Sequence, residues 1–513
     1  MKLVTSATMR QIDHEAIDGR EIPSEKLMES AGRGIAECIL HDLITKPSSA
    51  KVNVFCGKGN NGGDGYVVAR YLHKAGADVS VYFLGPIDKL SEDARLNFDR
   101  AAGLGLDLNE IASAENLPEN LESDIIVDAV FGTGFAGAPR GLSADMIAYV
   151  NRQDALVASV DLPSGLNADT GEFEGEVVEA DYSYPLALPK FGLFVTPGRE
   201  LAGNVEVVPI GIPDDVVESF PLKCDLITED LVSDLLPLRR PDGHKGDFGR
   251  LLVIAGSTGM TGAAAMAGES ALRSGCGLCR VACPATTQPV LAGKLTEVMT
   301  HPLPDVAKKG VLALRGIGEI RKLASENNAL VIGPGIGQHH ETQELIRRLV
   351  SNLQRPAIID ADGLNALAGH LDIVKGCPSP LVLTPHPGEF QRLTETAVPD
   401  NIEKRIDVAI EFASQHDLVL ILKGSPTLVA GPDGFCFLNP TGNNGMATGG
   451  SGDVLSGIIG SFLAQGMRPI DAAVTGVYVH GLAGDFAAEE LTPRAMIAGD
   501  MIDCLPQVFE MFE

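Results

Sequence analysis

The chain has 513 residues, more than one hydrophobic core usually serves, so two or three domains are expected. Its hydrophobic share of 45% is ordinary, whereas its 58 glycines exceed the usual proportion of about 7% and gather in a few turns. The formal net charge of −28 excludes broad contact with nucleic acid or an anionic membrane surface, because both are polyanions; a small phosphorylated ligand would need local backbone N–H groups and single cations.

The N-terminal MKLVTSATMRQIDHE lacks the apolar core of a signal peptide and predicts a capped helix. A second helix follows, with Leu27, Ala31, Ile35 and Ile39 four apart on one face. No apolar run reaches the roughly 18 residues that span a bilayer, and the nine cysteines are scattered, so a reducing cytoplasm is the expected location. Cys276, Cys279 and Cys283 lack a fourth metal ligand nearby and are expected as small core residues where a helix ends and a strand begins.

Runs of branched apolar residues recur, each followed by a glycine-rich turn and a helical pattern. In the first half they are VNVFCG (52–57), DVSVYFLG (78–85), SDIIVDAVFG (123–132) and LVASVDLPSG (156–165). In the second half they are RLLVIAG (250–256), LVIGPG (330–335), PAIIDADG (356–363), SPLVLTPHPG (379–388) and LVLILKG (418–424). Such runs suit strands buried on both faces, so each half predicts an α/β fold around a parallel sheet. The join is placed near 220–223, giving domains 1–222 and 223–513. LITEDLVSDLL then predicts a lead-in helix, and Pro432-Asp433-Gly434 a hairpin turn.

After the first strand, GKGNNGGDGYVVARYL satisfies G-x-G-x-x-G, a weak dinucleotide signal on its own. The next strand lacks the acidic end that would grip a ribose, which argues against a dehydrogenase. Asn60, Asn61 and Asp64 instead set side-chain oxygens among the glycines, as a hard cation would need. Asp128 and Asp161 each lie at a strand's carboxyl end, so Asn61, Asp128, Asp161 and Ser164 are expected to converge. In the second half GNNGMATGGSGDVLSGIIG runs from a glycine turn into an apolar helix. The amides of Gly449, Gly450, Ser451 and Gly452 are expected to form an anion hole beside Asp453. At a helix N-terminus that carboxylate is expected to be stabilised in its charged form and to be a weak base. KGSPT offers an ammonium and free amides to phosphates, GSTGMTGAAAMAG predicts a small-residue helix, and His386 lies at a strand end.

NNGGDGYVVAR, VDAVFGTGF and SVDLPSGLNADTG together resemble the NAD(P)H-hydrate epimerase family over about residues 1–220. HKGDFGRLLVIAGS, GPGIG, DADGLNAL, TPHPGEF, KGSPT and NNGMATGGSGD resemble the ADP- or ATP-dependent NAD(P)H-hydrate dehydratase family over residues 223–513. The resemblance implies a Rossmann-like three-layer domain followed by a ribokinase-like three-layer domain. It further implies epimerisation of the R and S C6 hydrates of NADH and NADPH, then ADP-dependent dehydration of the S form by phosphorylation and loss of phosphate.

By position, the resemblance assigns potassium to Asn61, Asp128 and Ser164. The epimerase substrate goes to Asn60, Asn61, Gly62, Gly63, Asp64, Gly132, Thr133, Gly134, Phe135 and Asp161, with Asp161 as acid/base and Lys190 in support. The hydrate in the second half goes to Ala263, Gly335, His386 and Asp453, with Asp453 deprotonating the hydroxyl. The nucleotide goes to Lys423, Gly424, Ser425, Pro426 and Thr427 and to Asn443, Asn444, Gly445, Met446, Ala447, Thr448, Gly449, Gly450, Ser451 and Gly452. Magnesium is implied without nameable ligands, ATP is the alternative donor, and a homo-oligomer is expected. The rival account is an ATP-dependent small-molecule kinase with a non-catalytic N-terminal binding module.

Overall fold

The four apolar runs of the first half become strands of one parallel sheet. In chain order its strands are β1 (Lys51–Cys56), β2 (Asp78–Leu84), β3 (Asp107–Ile111), β4 (Ile125–Ala129), β5 (Leu156–Val160), β6 (Tyr182–Tyr184) and β7 (Asn204–Val205), the runs forming β1, β2, β4 and β5. Their order across the sheet is β3-β2-β1-β4-β5-β6-β7, so the chain reverses direction of growth between β1 and β4. Successive residues of a strand face opposite sides. Val54, Val81 and Val127 therefore join a core with Ile35, Ile39, Tyr66 and Leu72, from the helices Ser24–Asp42 and Asn60–Lys74. Phe55, Ile126 and Val157 join another with Met146, Ile147 and Val150 of the helix Leu142–Val150. Helix, sheet and helix make three layers. β3 went unseen in the sequence because it is an edge strand, DLNEI, with one buried residue at its end and no apolar run.

The second sheet has ten strands: β8 (Cys224–Leu226), β9 (Arg250–Ile254), β10 (Leu278–Pro284), β11 (Met299–Leu303), β12 (Ala329–Ile332), β13 (Ala357–Ile359), β14 (Leu381–Leu383), β15 (Val419–Leu422), β16 (Thr427–Ala430) and β17 (Cys436–Asn439). The order is β11-β10-β9-β12-β13-β14-β15-β16-β17-β8, and growth reverses between β9 and β12. β16 is antiparallel to both neighbours, closing the hairpin expected around Pro432. One face, including Val253, Val331 and Ile358, packs on the helices Thr261–Arg273, Ser451–Ala464 and Pro469–Leu491. The alternate residues Leu252, Ile254, Leu330 and Ile359 are buried as well, so both faces are covered. The lead-in segment is a short strand, β8, before a helix Glu229–Leu235 capped by Thr228. Cys276, Cys279 and Cys283 are buried free thiols.

All residues from Met1 to Glu513 are described by this computed structural model, which divides into two compact units, Met1–Leu222 and Lys223–Glu513. No helix is long and apolar enough to cross a membrane.

Candidate active sites

Ligands of open parallel sheets bind outside the carboxyl ends of strands where the strand order reverses. In the first unit that point lies between β1 and β4, where Phe55 sits in register with Asp128. A cavity of about 880 Å³ opens there, with Asn60, Asn61, Asp64, Asp161 and Lys190 in its wall together with the turn from Gly132 to Phe135. Asn60 to Asp64 form the start of the helix Asn60–Lys74, behind Gly59 as N-cap, rather than an extended glycine loop.

Asp161 follows β5 with φ of +67°, a conformation costing a non-glycine residue about 1–3 kcal/mol, and strain of this kind gathers at functional sites. Its carboxylate is fixed on both oxygens. Lys190 Nζ lies 2.6 Å from Oδ1, and the Thr133 amide donates to Oδ2 at 3.1 Å. Lys190 is only 1% exposed, so the pair is buried. Gly132 lies against this carboxylate: a Cβ there would sit 2.9 Å from Asn61 Oδ1 and 3.1 Å from Asp161 Oδ2.

Asp128 is fully buried and accepts four hydrogen bonds, from Ser159 Oγ, Ser164 Oγ, the Ser164 amide and the Val130 amide. Burial raises its pKa and the bonds from Ser164 partly offset that; no cationic side chain joins them. Ser164 Oγ also bridges to Phe131, accepting from its amide at 2.8 Å. Asn61 Nδ2 is buried without a partner. Asp128 is buried without a cationic partner, and Asn61, Asp128 and Ser164 carry the hard oxygen donors that a monovalent cation would take.

Two more carboxyls complete the cavity. Asp64 is pushed well above the usual carboxylate range by burial, with Asp161 and Asp13 adding to the shift. Asp13, on the N-terminal helix Ser6–His14, is raised to about 6 by burial, lowered in part by Lys190 and raised further by Asp161. Sequence reasoning missed Asp13, because nothing local to the helix says where it docks. Arg10, Lys58 and Arg140 line the same cavity as exposed cations.

In the second unit the reversal lies between β9 and β12. There Gly335 packs against Met260 and Ala263, so the turns after both strands meet. The helix Ser451–Ala464 starts from Gly450, whose φ of +102° suits glycine and turns the chain abruptly into the first helical residue. The amides of Gly449 to Gly452 find no acceptor in the protein. Behind them, buried His480 donates from Nε2 to the Ser451 carbonyl at 2.9 Å; burial lowers its pKa to about 4, keeping the ring neutral. Asp485 anchors the preceding loop through the Gly442 amide and Asn443 Nδ2. In the KGSPT turn Thr427 Oγ1 donates to the Gly424 carbonyl.

Asp453 stands in the first turn of that helix, beside Lys423, Asp360 and Asp362. Its pKa is raised to about 7 by burial and by the Asp360 charge, lowered in part by Lys423, and raised again by Asp362. The sequence expectation of a weak base at a helix N-terminus is thereby corrected: desolvation and two like charges outweigh the helix dipole. Lys423 is not free for phosphates alone. Its ammonium lies 3.1 Å from Asp360 Oδ1 and 3.7 Å from Glu389, faces Gly452, and is raised in pKa, because these acids overcome the lowering by burial. Asp360 also accepts from Thr384 Oγ1 at 2.7 Å and Ser456 Oγ at 2.8 Å. Asp360 followed the same strand-end rule as Asp161, yet its role in DADGLNAL went unassigned.

His386 is half-exposed and caps the helix Pro387–Thr394, its Nδ1 accepting from the Gly388 and Glu389 amides. Asp360 and Asp362 spend their oxygens on protein donors, those of Asp362 being the Gly337 amide, Gln338 and Asn365. No group of three or more His, Cys, Asp or Glu side chains is arranged to hold a metal, so the residues present do not form a magnesium cage.

Two Rossmann-type sheets, each gathering carboxylates and a lysine at the carboxyl edge, define a two-domain α/β enzyme. The NAD(P)H-hydrate dehydratase family model matches residues 251–507, and that of the YjeF-related protein N-terminus matches residues 24–192. The bifunctional NAD(P)H-hydrate repair enzyme of Moorella thermoacetica is 43% identical over 100% of this chain and 97% of its own. That of Escherichia coli strain K12 is 35% identical over 98% of this chain and 92% of its own. A solved ADP/ATP-dependent NAD(P)H-hydrate dehydratase from Bacillus subtilis, co-crystallised with ATP and Mg2+, is 35% identical over 56% of this chain and 99% of its own, with a TM-score of 0.48. The chain belongs to the family of bifunctional NAD(P)H-hydrate repair enzymes.

Proposed function

We propose that the first unit interconverts the R and S C6 hydrates of NADH and NADPH, and that the second restores the dihydronicotinamide from the S form at the expense of ADP. The observation that carries the second half is Asp453: a carboxyl with a pKa near 7 beside a turn whose amides lack acceptors. A base is most effective when its proton affinity matches the working pH. Asp453 takes the C6 hydroxyl proton, and the oxygen attacks the terminal phosphorus of ADP. The amides of Gly449 to Gly452 stabilise charge on the transferring group. AMP leaves; the C6–O bond then breaks with the help of the ring nitrogen, and loss of a C5 proton restores the double bond. Lys423 holds Asp360 and limits the negative field on Asp453. The KGSPT turn and residues 443–452 support the nucleotide, and Ala263, Gly335 and His386 the hydrate.

In the first unit the Asp161–Lys190 pair is set to move a proton at C6. Potassium on Asn61, Asp128 and Ser164 would supply positive charge that offsets Asp128 and steadies the turn from Phe131. The cavity suits a dinucleotide: Arg10, Lys58 and Arg140 form no ion pair within the protein and are free to meet its phosphates, in a chain otherwise strongly acidic. Because the second unit takes one epimer, the first makes the other available to it.

The test mixes R and S hydrates with ADP and magnesium and follows the reduced-nicotinamide absorbance. The intact chain should recover all of it, Asp161→Asn should stop at the S share, and Asp453→Asn should recover none. A stable phosphorylated product without recovery would establish the small-molecule kinase account instead. Repeating the assay with ATP decides the donor.

A further inference from the structure

The first helix is fastened to the epimerase cavity by that cavity's own motifs. Val4 pairs with Lys190 as a parallel bridge, its amide donating to the Pro189 carbonyl at 3.1 Å. Two residues on, Asp169 of the DLPSGLNADT segment accepts from the Ser6 amide at 2.6 Å and from Ser6 Oγ at 2.8 Å. Thr5 caps the helix, accepting from the Thr8 amide. Fixed at that end, the helix turns Met9 and Asp13, four residues apart on one face, into the wall of the cavity that Asp161 and Lys190 also line, within electrostatic reach of both. A helix needing only burial would present an apolar residue here, as it does with buried Ile12 and Ala16.

We infer that Asp13 is a second catalytic acid/base of the epimerase site, acting on the C6 hydroxyl from the side opposite the Asp161–Lys190 pair; this rests on the epimerase function proposed above. C6 of the hydrate carries a hydroxyl, a hydrogen and the ring nitrogen. Asp13 gives its proton to the hydroxyl oxygen as the C6–O bond breaks. The nitrogen lone pair closes a C=N bond, so water leaves and an iminium cation remains. Water then adds to the other face: its oxygen pair makes the new C6–O bond, the C=N pair returns to nitrogen, and Asp161 takes the proton. Asp161 then releases its proton to solvent in the open cavity, and solvent returns one to Asp13. In the reverse direction the two carboxyls exchange roles, and no oxidant or reductant is required.

The groups facing Asp13 are Asp161 and Lys190 from beyond β5 and Asp64 from the helix Asn60–Lys74, with Arg10, Lys58 and Arg140 in the same wall. Burial and Asp161 bring its pKa to about 6 against the pull of Lys190. An acid must be protonated to act, so in the direction that uses it the rate should fall as pH rises through that value.

The experiment measures interconversion of purified R and S hydrates by the full-length chain between pH 5 and 9, corrected for the uncatalysed rate, with the dehydratase rate on S hydrate as an internal control in the same molecule. Asp13→Asn should lower the epimerase kcat by at least about 100-fold, change KM by less than about threefold, abolish the alkaline limb and leave the dehydratase rate unchanged. Asp13→Glu should stay within about tenfold of the unmodified chain, with a limb shifted in pH. Epimerisation in H2(18)O should place the heavy oxygen on C6. Asp13→Asn keeping more than a third of the rate, or slowing it with the same limb intact, overturns the inference. If Asp13→Asn fails to fold, an unshifted limb in Asp13→Glu overturns it. An unmodified chain that cannot equilibrate R and S defeats the epimerase function itself, a different result.

Discussion

Each unit sets a lysine among carboxylates at the carboxyl edge of its sheet, fully buried in the first and partly buried in the second, but the ammonium goes to different partners. In the first unit Lys190 binds the proposed acid/base directly, 2.6 Å from Asp161, and leaves Asp13 and Asp64 with raised pKa values. In the second, Lys423 binds the neighbour Asp360 at 3.1 Å and leaves Asp453 near 7. One lysine fixes the reacting carboxylate; the other tunes it from one residue away. The difference matches the chemistry. The epimerisation proposed above calls on two carboxyls at one carbon, whereas the proposed phosphoryl transfer from an alcohol calls on one base poised near neutrality.

Breaking the direct pair should have the largest effect. Lys190→Met strands a carboxylate that is 6% exposed, and should cost the first unit about 3–5 kcal/mol, read as an earlier urea transition, together with nearly all epimerase activity. Lys423→Met should cost less, about 1–3 kcal/mol, because that side chain is 21% exposed and Asp360 keeps its bonds from Thr384 and Ser456. Its dehydratase rate–pH curve should move to higher pH, since the cation that lowers the Asp453 pKa is gone. Gly132→Ala should have the smallest effect. Its methyl crowds Asn61 and Asp161 by a few tenths of an ångström, and should raise KM for the hydrate by about fivefold, or about 1 kcal/mol, with little change in stability.

The same contrast shows what a sequence can and cannot carry. Strands buried on both faces announce themselves as apolar runs, and glycine turns after them mark the carboxyl edge, so Asn61, Asp128, Asp161, Gly335 and Asp453 could be placed near their sheet edges before any coordinates. Edge strands such as β3 carry no such run. Partners were harder. That Lys423 pairs with Asp360, 63 residues away, and that Asp13 lines the same cavity as Asp161, depend on how distant segments dock. The proton affinity of Asp453 divides in the same way: the helix terminus is local and visible, while the burial and the Asp360 charge that outweigh it are tertiary.

The most direct test is therefore the pH dependence of kcat for S hydrate and ADP, with the unmodified chain and with Asp360→Asn. A base must lose its proton to act, so the rate of the unmodified chain should rise with pH through about 7 and then level off. Removing the Asp360 charge should move that rise to lower pH. A rise at the same pH in both chains, or none in either, would show that Asp453 is not the tuned base.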